Sequence, residues 1–183
     1  MRKITAAFFM SLDGVVESPE KWQFPYYNDE LGAAIGNTMS EADAMLMGRV
    51  TYQEWVSYWP NQTDDDSGFA DYINNTLKYV VSTTLETVEW HNSTLIKGNF
   101  RDEILHLKEQ PGNDIAISGS ATLVRSLLHE DLLDQLRLMI HPVVVGSGKR
   151  LFDGWSDQKP LKLVDSQTFT TGVEYLTYQP ADQ

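Results

Sequence analysis

Apolar residues along this chain fall into short unbroken runs, separated by stretches of helical periodicity. Ile4 to Leu12 is a run of β-formers and predicts a central strand, closed by the Asp13-Gly14 turn. Glu17 to Tyr27 is a loop dense in aromatics and proline, with Pro19, Trp22, Phe24, Pro25, Tyr26 and Tyr27. Asn28 or Asp29 caps a predicted helix to about Ala42, with Leu31, Ile35 and Met39 on one face. Ala44 to Met47 is a second buried strand, and Thr51 to Tyr58 a helix that stops before Pro60. An acidic loop follows, Asn61 to Ser67. Gly68 to Leu77 predicts a helix, Lys78 to Ser82 a third strand, and Ser93 to Lys97 a short one.

The second half repeats the alternation. Arg101 to Lys108 predicts a helix ending before Pro111-Gly112, and Asp114 to Ile117 a buried strand. Ala121 to His129 is amphipathic, with Leu123, Val124, Leu127 and Leu128 on its apolar face. Leu136 to Val145 is β-rich, and Leu161 to Phe169 and Val173 to Tyr178 form a hairpin around Thr170-Thr171-Gly172. Early strand–helix alternation and late strands predict an α/β domain, its sheet parallel first and antiparallel at the end. No internal repeat, low-complexity tract or linker interrupts the 183 residues, so a single domain is expected.

Composition narrows the function. A formal net charge of -12 argues against sequence-independent binding to nucleic acid or to an anionic membrane. With no cysteine, disulfides, zinc–thiolate sites and thiol nucleophiles are excluded. The four histidines lack metal-ligand spacing, so no metal site is expected. Asp64, Asp65 and Asp66 resemble a calcium loop, but Phe69 stands where that loop needs glycine. No secretory segment or long apolar span appears, and the cytoplasm is the expected compartment.

Two strand-to-helix junctions carry the candidate chemistry. Gly48-Arg49-x-Thr51-Tyr52 and Ser118-Gly119-Ser120-Ala121-Thr122 each place glycine between a buried strand and a helix. Free N–H groups at a helix start favour an anion, and two such starts suit a ligand with more than one phosphate. Arg49 adds a planar fork, and Thr51, Ser118, Ser120 and Thr122 add hydroxyls. The same patterns also describe ordinary capped junctions. The second junction is not G-x-G-x-x-G, and Gly146-Ser147-Gly148-Lys149 is not a P-loop, because Val143 and Arg150 occupy required positions. Apolar walls near Asp13, Asp29 and Glu30 describe a pocket for a flat heterocycle. A partly desolvated carboxylate there is expected to have a raised pKa and to relay a proton.

In joint order, these stretches resemble the dihydrofolate reductase-like superfamily. The nearest branch is the reductase domain of the riboflavin-biosynthesis deaminase/reductase. The marks are Ser11-Leu12-Asp13-Gly14, Phe24-Pro25, Glu41-Ala42-Asp43-Ala44, Gly48-Arg49-x-Thr51-Tyr52, Tyr79-Val80-Val81-Ser82, Ser118-Gly119-Ser120 and His141-Pro142 through Gly148. The resemblance implies a three-layer sandwich, an NADPH cofactor and a homodimer built with the late strands. It places Gly48, Arg49 and Thr51 at the cofactor phosphates and Ser82 near the adenosine 2′-phosphate. Gly119, Ser120, Ala121 and Thr122 would hold the pyrophosphate. Val145, Gly146 and Ser147 would lie near the nicotinamide, and Asp13, Trp22, Phe24 and Asp29 would border the substrate. The zinc deaminase half has no cysteines to build it here. Asn28, Asp29 or Glu30 could take the place of the proton-delivering acid, with Asp29 or Asp13 favoured. The implied activity is hydride transfer to a small pterin- or pyrimidine-like heterocycle. The alternative is a non-catalytic nucleotide-binding protein on the same fold.

Overall fold

A computed structural model describes residues 1–62 and 68–181. Its strands are β1 (Ile4–Ser11), β2 (Ala42–Gly48), β3 (Leu77–Val81), β4 (Ser93–Ile96), β5 (Asp114–Ser118), β6 (Gln135–His141), β7 (Leu161–Thr168) and β8 (Glu174–Pro180). Its helices are α1 (Asp29–Glu41), α2 (Arg49–Tyr58), α3 (Phe69–Asn75), α4 (Phe100–Glu109) and α5 (Ala121–His129). The acidic loop expected from Asn61 to Ser67 lies, from 63 to 67, outside the described residues.

The eight strands form one sheet in the order β4-β3-β2-β5-β1-β6-β8-β7. Pairings from β4 across to β6 are parallel. Those of β8 with β6 and with β7 are antiparallel, as the late hairpin predicted. Side chains alternate across the sheet. Ile4, Ala6 and Phe8 of β1 pack with Ile104 of α4 and Leu123 and Leu127 of α5 on one face. Met139 of β6 meets Leu31 and Ala34 of α1 on the other, where Met47 and Val80 pack with Tyr52 and Ile73 of α2 and α3. The result is the three-layer α/β sandwich implied by the sequence. Each fully buried Leu or Ile contributes about 1.5–3 kcal/mol, so the layers are held mainly by these apolar faces.

Several element ends differ from the sequence reading, among them the helix expected over Gly68 to Leu77, which spans Phe69–Asn75 and leaves Leu77 to open β3, and two further ends bear on the site. β2 begins at Ala42 rather than Ala44, because Ala42 pairs with Asp114 across a bulge. β6 stops at His141 rather than Val145. Pro142 has no N–H for the ladder, and the Val143 N–H turns back to the His141 carbonyl at 2.7 Å. The strand's continuation hooks instead over β1, where the Leu12 N–H donates to the Val143 carbonyl at 2.9 Å.

Lys78 is 1% exposed at the start of β3. Its ammonium donates to the carbonyls of Asn74 at 2.9 Å, Thr76 at 2.8 Å and His91 at 3.3 Å, over the Trp90 ring. It therefore closes the end of α3, where the helix leaves carbonyls unpaired. Burial lowers its pKa from 10.5 to about 8. Between those values the unfolded chain binds the extra proton, so this group makes folding more favourable as pH rises. In urea denaturation, the stability advantage of the natural chain over Lys78→Met is expected to widen from pH 8 to 10. A difference that stays constant across that window contradicts this account.

Candidate functional site

The chain leaves β1 toward β2, β3 and β4 on one side, then returns to place β5 beside β1 and β6 beyond it. Neighbouring connections thus diverge at the carboxyl ends of the central strands, where open α/β sheets form a crevice. The predicted residues gather along this edge. Asp13 follows β1, Gly48, Arg49 and Thr51 join β2 to α2, and Ser82 follows β3. Ser118 to Thr122 join β5 to α5, and Val145, Gly146 and Ser147 lie in the turn after β6.

Because β2 and β5 are neighbours, α2 and α5 start side by side. No side chain among the described residues caps either start. Gly119 turns at φ 80 and Ser120 at φ 57, which aims the Ser120 hydroxyl across to the other junction. Ser120 Oγ accepts the Gly48 N–H at 2.8 Å and lies 2.7 Å from Thr51 Oγ1. One hydroxyl proton is enough for the Ser120–Thr51 contact, so the pair has a second proton to offer a ligand. A Cβ on Gly48 would sit 2.8 Å from Ser120 Oγ, so glycine is required for this approach. Arg49 is exposed and donates to Gln53 at 2.9 Å. Thr122 is exposed and accepts from Arg125 at 3.1 Å. Ser82 is buried, and its oxygen accepts the N–H groups of Thr84 at 3.2 Å and Leu85 at 3.0 Å. That hydroxyl shapes a turn.

Asp13 organises the far side. Its carboxylate accepts from Ser11 Oγ at 2.6 Å and from the N–H groups of Val145 at 3.0 Å and Gly146 at 2.9 Å. The Arg150 guanidinium lies 3.4 Å away and also donates to the Asp13 carbonyl at 2.8 Å. The raised pKa expected of this carboxyl is overturned. The Ser11 hydroxyl and then the Val145 N–H hold it well below the usual carboxylate range. Asp13 is a fixed anion that pins the turn after β6.

The aromatic loop covers the end of β6 on the α1 face. Trp22 is 9% exposed, whereas Phe24 is 63% exposed. The rings of Phe9, Trp22 and Tyr26 stand edge-on around His141, at centroid distances of 5.6, 5.3 and 5.7 Å. His141 is fully buried; Nδ1 donates to the Met139 carbonyl at 2.8 Å, and Nε2 has no hydrogen-bond partner among the described residues. Burial lowers its pKa, outweighing the opposite pull of the Met139 and Met10 carbonyls. An unpaired buried acceptor costs about 1–3 kcal/mol.

The three candidates for the proton-delivering acid separate. Asn28 caps α1 by accepting the Leu31 N–H at 3.0 Å. Glu30 accepts from Thr170 N at 2.8 Å, Thr170 Oγ1 at 2.6 Å and Asn28 Nδ2 at 2.7 Å. The Thr170 bonds hold its carboxyl below the ordinary range. Asp29 is exposed at the first position of α1. Sequence reasoning missed Arg150, Gln23 and the place of His141. The alternation Gln135, Arg137, Met139, His141 on one face of β6 was the available signal for the last. No group of acidic or histidine side chains among the described residues could hold a metal ion.

The fold has counterparts among known proteins. The uncharacterized protein YyaP of Bacillus subtilis (strain 168) is 31% identical over 180 residues, covering 97% of this chain and 94% of that protein. A protein of Shewanella sp. PV-4 named for riboflavin biosynthesis superposes with a TM-score of 0.79 at 20% identity, covering 98% of this chain and 99% of its own. Dihydrofolate reductase of Enterococcus faecalis, solved with NADP(H), superposes with a TM-score of 0.63 at 14% identity, covering 98% and 97%. The fold is therefore dihydrofolate reductase-like. The family model described as RibD C-terminal domain matches residues 2–175, and the chain belongs to that family.

Proposed function

We propose that this protein is an NADPH-dependent reductase that delivers hydride to a C=N or conjugated C=C bond of a small pterin- or pyrimidine-like heterocycle. The observation that carries this reading is the pair of uncapped helix starts tied by Ser120 at the switch point. Their N–H groups, the spare hydroxyl proton and the glycine cradle fit a pyrophosphate. NADPH, when bound, supplies the hydride.

The chain's own residues then take distinct roles. Thr51, Ser120 and the backbone from Ser118 to Thr122 hold the pyrophosphate. Arg49 and Ser82 meet the 2′-phosphate; the Ser82 oxygen accepts two N–H groups of its own turn and keeps its hydroxyl proton to donate. Asp13 fixes Val145 and Gly146, and with them Ser147, beside the nicotinamide. Leu12 at 63% and Val144 at 71% exposure offer apolar contact at the same edge. Trp22 and Phe24 wall the substrate side. Asp29 delivers the proton that must follow the hydride, directly or through water. A cytoplasmic homodimer is part of the proposal, and the open side of β7, with Leu163 47% and Val164 42% exposed, supports it.

Titration with NADPH and NADH, read by tryptophan emission, tests the cofactor assignment. The natural chain is expected to prefer NADPH, and Arg49→Ala to lose about tenfold in NADPH affinity with little change for NADH. Gly48→Ala is expected to weaken both cofactors, by pushing Ser120 off the α2 start. Binding of neither cofactor at millimolar levels overturns the reading.

Turnover with a heterocyclic acceptor tests the proton donor. Asp29→Asn is expected to lower kcat about 100-fold without changing NADPH affinity. Unchanged kcat removes Asp29 from that role.

A further inference from the structure

Three segments meet at the end of β6: the aromatic loop, His141-Pro142 and the β7–β8 turn. Tyr26 sets its ring on His141 and donates its hydroxyl to the Pro142 carbonyl at 3.4 Å. A Cβ on Gly172 would lie 3.4 Å from Pro142 Cγ. Each segment holds a buried polar atom with no partner among the described residues: Gln23 Oε1, His141 Nε2 and Thr171 Oγ1. Gln23 is 8% exposed and His141 0%. Folded chains leave few such atoms unpaired. Three of the six such atoms among the described residues belong to these adjoining segments at the end of β6, where a ligand would complete them.

The chemistry of that ligand follows from the tautomer of His141. A carbonyl only accepts, so the contact with Met139 places the proton on Nδ1. In the neutral ring Nε2 is then an acceptor with a free lone pair. Gln23 Oε1 is an acceptor as well. Both require N–H donors, and the surrounding aromatic rings suit a flat partner.

We propose that His141 Nε2, together with Gln23 Oε1, reads N–H donors on the heterocyclic substrate and so determines which heterocycle is accepted. The assignment rests on the reductase reading of the same crevice. To reach Nε2, the substrate displaces the edges of Trp22 and Tyr26. Each of those side chains holds one hydrogen bond: Trp22 Nε1 donates to the Glu17 carbonyl at 3.2 Å, and Tyr26 to Pro142. A site built to take an N–H rejects an analogue that lacks it, because its acceptors are left buried and unpaired.

The test compares binding of 2,4-diaminopyrimidine with that of its fully N-methylated counterpart, with and without NADPH. The natural chain is expected to favour the N–H form by about tenfold or more, and His141→Phe and Gln23→Leu to lose that preference. NADPH affinity, measured in the same samples, is expected to stay unchanged in both variants. Loss of NADPH binding in the natural chain would count against the reductase reading, while the pyrimidine comparison without cofactor still decides the role of His141. Equal preference in the natural chain and His141→Phe, or no binding of either pyrimidine, overturns the proposal. Should His141→Phe fail to fold, nitrogen-15 histidine spectra of the natural chain decide. The Nε2 resonance of the Nδ1–H tautomer is expected to move when the diaminopyrimidine is added, and an unmoved resonance overturns the proposal.

Discussion

Ser120 Oγ accepts the Gly48 N–H and meets the Thr51 hydroxyl, and the geometry of the crevice depends on this bridge. It joins two helices that follow different strands and are separated by 69 residues along the chain at the Thr51–Ser120 contact. The junctions come together because β2 and β5 are adjacent, about 4.8 Å apart. Only glycine at position 48 permits the approach. Without the bridge, each helix start would be an isolated and weak anion site. With it, both sets of free N–H groups belong to one rigid surface.

Charge is managed locally on a chain whose net charge is -12. Asp13 and Glu30 both lie at the carboxyl edge, where free carboxylates would repel a phosphate-bearing ligand. Each is consumed by internal donors. Asp13 takes the turn after β6 and the Arg150 guanidinium. Glu30 takes the β7–β8 turn through Thr170. These acids fasten two loops to the sheet, so the rim is held by the groups that would otherwise disfavour an anion. Arg49 remains exposed at the opposite junction.

Much of this arrangement was legible in the sequence. The alternation of apolar runs and helical stretches foretold the order of elements, and glycine between strand and helix marked both junctions. The sequence reading erred where tertiary contacts override local pattern. Val143 to Val145 are β-formers, yet Pro142 ends the ladder and Asp13 draws the backbone aside. A carboxylate in an aromatic neighbourhood suggested a raised pKa, but the Ser11 hydroxyl and the Val145 N–H reverse the sign. The Ser11 donor is local, two residues before Asp13, whereas the Val145 donor depends on how β1 and β6 end side by side, which spacing along the chain does not express. The unpartnered Nε2 of His141 was hidden for the same reason, since it depends on which rings enclose the imidazole.

Amide hydrogen exchange with and without NADPH tests the central claim most directly, because it reads both helix starts at once. The account predicts simultaneous slowing at residues 49–52 and 119–123 on NADPH addition. Slowing at only one of these segments, or at neither while the cofactor binds elsewhere, would contradict a single phosphate site built by Ser120.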